Sequence, residues 1–225
     1  MYKKLIAGSE TRKTRLHDEL GHLVPCRRLI RNAPRALASA CMLGFGYRAR
    51  RPWISYDAQA LIGKFLSKDM RVLEYGSGLS TLWYSHLAGE VTSIEDDKQW
   101  HGQVADLLRA ESVGNVQYHF AQGPDRYVQI NPVEASEGFD LIMVDGRYRD
   151  LCVAEAISLV RPGGIIYLDN SDKGNCQISG NVPAARRQLL EFATKEAARI
   201  YTFTDFAPTQ LFVQEGVLIW RLPSS

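Results

Sequence analysis

From Arg71 to Asp169 the chain alternates short apolar runs with longer stretches whose apolar residues recur every three or four positions. The runs "RVLEY" (71–75), "VTSIE" (91–95), "VQYHFA" (116–121), "FDLIMV" (139–144) and "GIIYLD" (164–169) predict strands. The stretches near 79–88, 98–112, 149–160 and 183–198 predict helices. The last has Asn181 near its start and Pro183 in its first turn, where a missing N–H does no harm. "VRPGG" (160–164) reads as a helix stop before a strand. Upstream, "RPWISYDAQALIGKFLSKD" predicts a further helix, capped by Asp57, with Ala58, Leu61, Ile62, Phe65 and Leu66 on one face.

Strand–helix alternation demands a parallel sheet covered on both faces and joined by right-handed crossovers. Continuously apolar strands such as "LIMV" and "IIYL" agree with burial on both sides. The tail changes rhythm. "RIYTFTDF" and "QEGVLIWR" are two strand-like pieces with no comparable helix between them, which predicts an antiparallel pair finishing the sheet. The expected fold class is α/β, doubly wound and mostly parallel.

Charge adds a division that hydrophobicity does not show. Residues 1–51 hold twelve Lys/Arg against three Asp/Glu, and the remaining 174 hold fifteen against twenty-two. A basic arm (1–54) is therefore expected ahead of a mildly acidic domain (55–225). Such an arm suits anionic lipid or nucleic acid, or is simply solvated. Its apolar run "ALASACMLGFG" (36–46) is too short to cross a bilayer, and it reads either as an interfacial helix or as a helix packed on the domain. The opening "MYKKLIAGSETRKTR" has no apolar signal core, so a cytoplasmic protein is expected, with peripheral membrane contact through the arm. Cys26, Cys41, Cys152 and Cys176 show no metal-ligand spacing, and Cys41 and Cys152 read as core fillers.

The candidate chemistry begins at "EYGSGLS" (74–80), the first strand-to-helix turn. Ligands of open α/β sheets bind at the carboxyl ends of the strands. Gly76 and Gly78 permit a tight turn and close approach to the backbone. Glu74, at the end of the first strand, needs a partner, because a buried unpaired carboxylate costs several kcal/mol. Twenty-one residues on, Glu95 ends the second strand, the spacing of an acid that binds ribose hydroxyls in a nucleoside-binding α/β unit. A dinucleotide is disfavoured, since Thr81 replaces the third glycine and Glu74 would repel a phosphate. A cationic cofactor such as S-adenosylmethionine reverses that argument, with Glu74 offsetting its charge.

"VLEYGSGLSTLW", "VTSIEDD", "FDLIMVDG" and "LVRPGGIIYLDN", in this order across residues 55–221, resemble the successive motifs of class I S-adenosylmethionine-dependent methyltransferases. The resemblance implies a seven-stranded Rossmann-like sheet with the last strand antiparallel. It also implies that Glu74, Gly76, Ser77 and Gly78 line the methionine end, that Glu95 and Asp96 hold the ribose, and that Gln122 and Gly123 lie by the adenine. Ser80, where many members carry glycine, is expected to cap the following helix.

Asp145 after the fourth strand and Asp169–Asn170 after the fifth are the acids placed for proton transfer or substrate anchoring, with Asp145 also against the cofactor. Together the three resemble the Mg²⁺ site of catechol and caffeoyl-coenzyme A O-methyltransferases, although Tyr148 stands where those enzymes place a lysine. "VDGRYR" is more similar to bacterial methyltransferases associated with glycan genes. In that reading no metal is required, and Arg147 and Arg149, with Asn170, meet an anionic acceptor. The expected function is methyl transfer to an oxygen of a small molecule or glycan. The alternatives are a Mg²⁺-dependent catechol-like enzyme and a non-catalytic adaptor tethered by the arm. Nucleic acid is disfavoured as acceptor, since the domain is acidic and no Asn-Pro-Pro-Tyr-type motif holds a flipped base. Trp53 and Tyr56 are expected as a lid over the cofactor, and the sequence leaves the oligomeric state open.

Overall fold

The computed structural model describes residues 9–174 and 179–223. Cys176 and the first eight residues of the basic arm lie outside them. The elements run α1 (Cys26–Gly44), α2 (Tyr56–Phe65), β1 (Arg71–Tyr75), α3 (Leu79–Leu87), β2 (Glu90–Glu95), α4 (Lys98–Ala110), β3 (Val116–Phe120), α5 (Pro124–Val128), α6 (Pro132–Glu137), β4 (Phe139–Val144), α7 (Arg149–Leu159), β5 (Val160–Leu168), α8 (Val182–Lys195), β6 (Arg199–Phe206) and β7 (Val213–Trp220). Seven strands form one sheet in the order β3-β2-β1-β4-β5-β7-β6. Strands β1 to β5 are parallel, and β7 runs antiparallel to both β5 and β6. This is the expected doubly wound Rossmann-like sheet with an antiparallel last strand.

The central strands are apolar because both of their faces are covered. In β4, Leu141 and Met143 point into a core shared with α2 and α3, while Ile142 and Val144 point into one shared with α7 and α8. Ile165 and Tyr167 of β5 pair with the first set, Ile166 and Leu168 with the second. Helix α7 stops at Leu159 and β5 starts at Val160, so "VRPGG" lies inside the strand rather than between two elements. The irregularity it introduces is absorbed as a register shift against Phe139–Leu141.

The arm folds onto the domain. Helix α1 is nineteen residues long, starting well before the apolar run that the sequence marks. Its inner face carries Asn32, which donates to Asp205 (2.7 Å) and Asp57 (3.1 Å), and Arg28, which donates to Asp57 (3.1 Å) and to the Thr202 and Thr204 carbonyls. Asp57 therefore ties two helices together and is not the cap of α2; that cap is Ser55, whose hydroxyl accepts the Ala58 N–H. Cys152 is buried in the core as expected, but Cys41 is exposed on the outer side of α1.

Candidate functional site

In this strand order the chain reverses direction of winding between β1 and β4, and the crevice at such a switch point is where open α/β sheets bind ligands. Two short loops meet there. Gly76 adopts φ +98°, and a Cβ on it would stand 2.6 Å from the Gly146 Cα. Its glycine is thus required by the loop after β4, not by a ligand. Gly78 differs: a Cβ there would meet only the Ser80 hydroxyl (3.7 Å) and the Trp100 ring (3.9 Å), at the wall of a cleft. That cleft, about 180 Å³, is lined by Ser77–Ser80, Trp100 and Asp145, and by Arg48, Arg51, Pro52 and Trp53 from the segment before α2.

Glu74 is 1% exposed and answered by three hydroxyls: Ser80 (2.5 Å), Thr81 (2.6 Å) and Ser93 (2.7 Å) all donate to its carboxylate. Within the protein its partners are these hydroxyls. Burial raises its pKa to about 7 against those three bonds, and the charge of Asp145 adds to the rise. Ser80 is thereby turned toward Glu74 and does not cap α3; the Thr81 hydroxyl instead accepts the Gly78 N–H (3.0 Å).

Glu95 sits one strand over and is held by a different donor set. One oxygen accepts the Ser77 N–H (3.1 Å) and hydroxyl (2.9 Å), the other the N–H groups of Asp96 (2.9 Å) and Asp97 (3.0 Å). The Ser77 hydroxyl also accepts from Tyr118 (2.7 Å), and the Trp100 indole donates to the Ser77 carbonyl (2.8 Å). The turn after β1 is thus fastened to β2 and α4. Asp97 caps α4 through the Trp100 N–H (2.8 Å). Asp96 is paired with Arg147 (3.0 Å). Gln122 is exposed and Gly123 half-buried just past β3, where the Ala121 N–H bonds the Glu95 carbonyl (2.9 Å).

Asp145 and Asp169 stand as a pair of acids at the ends of β4 and β5, close enough for the charge of Asp145 to act on Asp169. Asp169 is the buried member, and burial pushes it well above the usual carboxylate range, with Asp145 adding to the rise and Arg149 and Lys173 opposing it. Asp145 is partly exposed and lines the cleft. Arg149, expected to meet an acceptor, is instead buried. Its guanidinium donates to the Gly146 and Asp145 carbonyls (3.0 and 2.8 Å), to the Asp145 carboxylate (3.1 Å) and to the Asp169 carbonyl. Asn170 adopts φ +46° and accepts from the Lys173 ammonium (2.7 Å). The donor set suggested for Mg²⁺ therefore already carries two protein cations, and a divalent ion does not fit without displacing them.

Of the expected lid, Trp53 reaches the cleft, whereas Tyr56 is buried within α2 with its hydroxyl on Ser39 (3.1 Å). Among the cleft residues that sequence reading missed, which include Pro52, Leu79 and Trp100, Arg48 and Arg51 bring charge. They lay in a charge run read as an arm, and only their proximity to "RPW" hinted otherwise. His101 stacks on Tyr118 (centroids 4.2 Å apart), and His86 is exposed.

No family model matches the chain, and no curated protein matches it. Solved structures do. Cofactor-bound Rv0187 from MTB is 22% identical, with 84% of this chain and 90% of that one covered at a TM-score of 0.55. The O-methyltransferase TomG from Streptomyces achromogenes, involved in tomaymycin synthesis and solved with SAM, is 20% identical over 72% of this chain and 77% of its own, TM-score 0.52. An rRNA methylase from Streptococcus thermophilus is 13% identical over 74% and 95%, TM-score 0.52. The chain has the fold of class I S-adenosylmethionine-dependent methyltransferases. That fold serves acceptors as different as a small molecule and RNA, so the reaction has to be argued from the cleft.

Proposed function

We propose that this protein transfers a methyl group from S-adenosylmethionine to an oxygen of a small-molecule or glycan acceptor. The observation that carries this reading is the composition of the cleft at the β1–β4 switch point. Arg48 and Arg51 stand on its walls with Asp145, above a floor formed by Ser77–Ser80 at the start of α3. A zwitterionic amino-acid end suits such a cleft. The arginines and the N-terminal amides of α3 complement a carboxylate, and the acids complement an ammonium and a sulfonium. When bound, the cofactor supplies an electrophilic methyl on sulfur.

This chain's residues would do the rest. Trp53 and Trp100 exclude water from the cleft. Asp145 is the group placed to take the acceptor's proton, while Arg149 fixes its orientation from behind. Glu95 reaches a ribose by exchanging the Ser77 hydroxyl, which keeps Tyr118 as its other partner. Asp96, Gln122 and Gly123 lie on the same side for the rest of the nucleoside. Arg48 and Arg51 take over the acceptor or carboxylate contacts first assigned to Arg147 and Arg149. The Mg²⁺-dependent reading is weaker, because Arg149 and Lys173 occupy the donor set.

Calorimetric titration with S-adenosylmethionine, S-adenosylhomocysteine and NAD tests the cofactor: micromolar binding of the two adenosyl ligands and none of NAD is expected. No adenosyl binding would sink the proposal. An Asp145→Asn variant is expected to lose transfer and to bind the cofactor more weakly, and the wild-type activity is expected to survive a chelator.

A further inference from the structure

Helix α1 carries apolar residues on both its inner and its outer face. Its inner face packs Leu29, Ala33 and Ala36 against Tyr56, Phe206 and Val213, and the hydrogen bonds of Asn32 and Arg28 fix it in place. Its outer face presents Ile30 (77% exposed), Pro34, Leu37 (55%) and Cys41 at helical spacing, continued just past the helix by Phe45 (91%) and Tyr47. Because the inner face is anchored by these bonds, the exposed apolar stripe is not a core surface left facing out. Beside it runs a row of arginines one turn apart: Arg27 is exposed, Arg31 pairs with Asp57, and Arg35 bonds Asn32 (3.3 Å) and lies over the Tyr56 ring.

Apolar side chains beside a row of arginines match the boundary between acyl chains and anionic headgroups. A second copy of this chain is a poor occupant, since a twofold contact would bring the same arginines of both copies together. RNA would answer the arginines but not Ile30, Leu37 and Phe45. No helix among the described residues is long and apolar enough to cross a membrane, so the geometry is that of a helix lying on one. We propose that the outer face of α1 docks this protein on an anionic membrane surface, with Ile30, Leu37 and Phe45 inserted and Arg27 at the headgroups. The segment that follows, Arg48–Trp53, walls the cleft, so docking would set the cleft mouth beside the surface.

The test is flotation of the full chain with vesicles of phosphatidylcholine alone or with about 40% phosphatidylglycerol, at low and high salt, without cofactor. Binding to the anionic vesicles is expected, weakening with salt and at least about tenfold weaker on pure phosphatidylcholine. The triple variant Ile30→Ser/Leu37→Ser/Phe45→Ser is expected to bind at least about tenfold less with its melting temperature unchanged, and Arg27→Glu about fivefold less. Absence of binding to anionic vesicles overturns the proposal. So does undiminished binding by the triple variant, which would leave only diffuse electrostatics. Sedimentation showing a wild-type dimer that the triple variant converts to monomer would assign the face to a second copy instead. None of these readouts involves the methyl-transfer reading.

Discussion

Glu74 and Glu95 end neighbouring parallel strands, are both nearly buried, and are both fully hydrogen-bonded, yet they are held by different chemistry. Glu95 accepts three backbone N–H groups and one hydroxyl. Backbone amides have a proton only to give, so they favour a carboxylate over a carboxylic acid. Glu74 accepts three hydroxyls and no amide. A hydroxyl can turn and accept instead, so this shell tolerates the protonated form that burial favours. An acid held by amides fixes the turn that carries the cleft floor. One held by hydroxyls is a neutral-range acid under that floor, able to gain or lose a proton as charge arrives above it.

The harshest way to break this pair is to disturb the turn between them. In Gly76→Ala the new methyl would collide with Gly146 at a backbone angle only glycine adopts easily. A loss of about 4 kcal/mol is expected, read as the midpoint of denaturant unfolding. Gly78→Ala adds a methyl with no such collision. It is expected to cost under about 1 kcal/mol of stability and to weaken cofactor binding instead.

Glu74→Gln separates the two acids by pH. The unfolded side chain ionises near 4.5 and the folded one near 7. Below 4.5 both states are protonated and the wild-type acid carries no penalty. Between 4.5 and 7 folding takes up a proton, so stability falls as pH rises, and above 7 the penalty is complete at about 3 kcal/mol. The glutamine has none. Its stability advantage is therefore expected to be small at pH 4, to grow to pH 7 and then to level off. A wild-type–variant difference that stays flat from pH 4 to 8 would contradict the account of Glu74.

How much of this was legible beforehand follows the range of the interaction. The strand spans of β1 and β4 match "RVLEY" and "FDLIMV" residue for residue, because two-faced burial writes a continuous apolar run. The acids at the strand ends were legible for the same reason: Glu74, Glu95, Asp145 and Asp169 interrupt those runs at fixed places. Their partners were not. Ser93 is separated from Glu74 by nineteen residues and meets it only because β2 pairs with β1 in one register. Arg149 read as an exposed charge opening a helix, and only the fold shows carbonyls from two strand ends converging on it. Helix α1 was missed in length because Arg28 and Asn32 stand among Leu29, Ala33 and Ala36 on its inner face and Pro34 interrupts its pattern.

The smaller effects fall on Glu95 and Ser77. Glu95→Gln must turn its NH2 group toward N–H donors on one side or the other, leaving either the Ser77 amide or those of Asp96 and Asp97 without an acceptor. About 2 kcal/mol of destabilisation is expected, read as the midpoint of denaturant unfolding, in contrast to the gain at Glu74. Ser77→Ala removes one hydroxyl that donates to Glu95 and accepts from Tyr118, while the Ser77 N–H bond to Glu95 remains. It is expected to cost about 1 kcal/mol of stability. Its effect on binding is the sharper readout. If a ribose displaces the Ser77 hydroxyl from Glu95, the alanine variant has one fewer bond to break and binds S-adenosylmethionine about as well as wild type or better. A loss of tenfold or more would mean that Ser77 itself contacts the ligand and that Glu95 only shapes the turn.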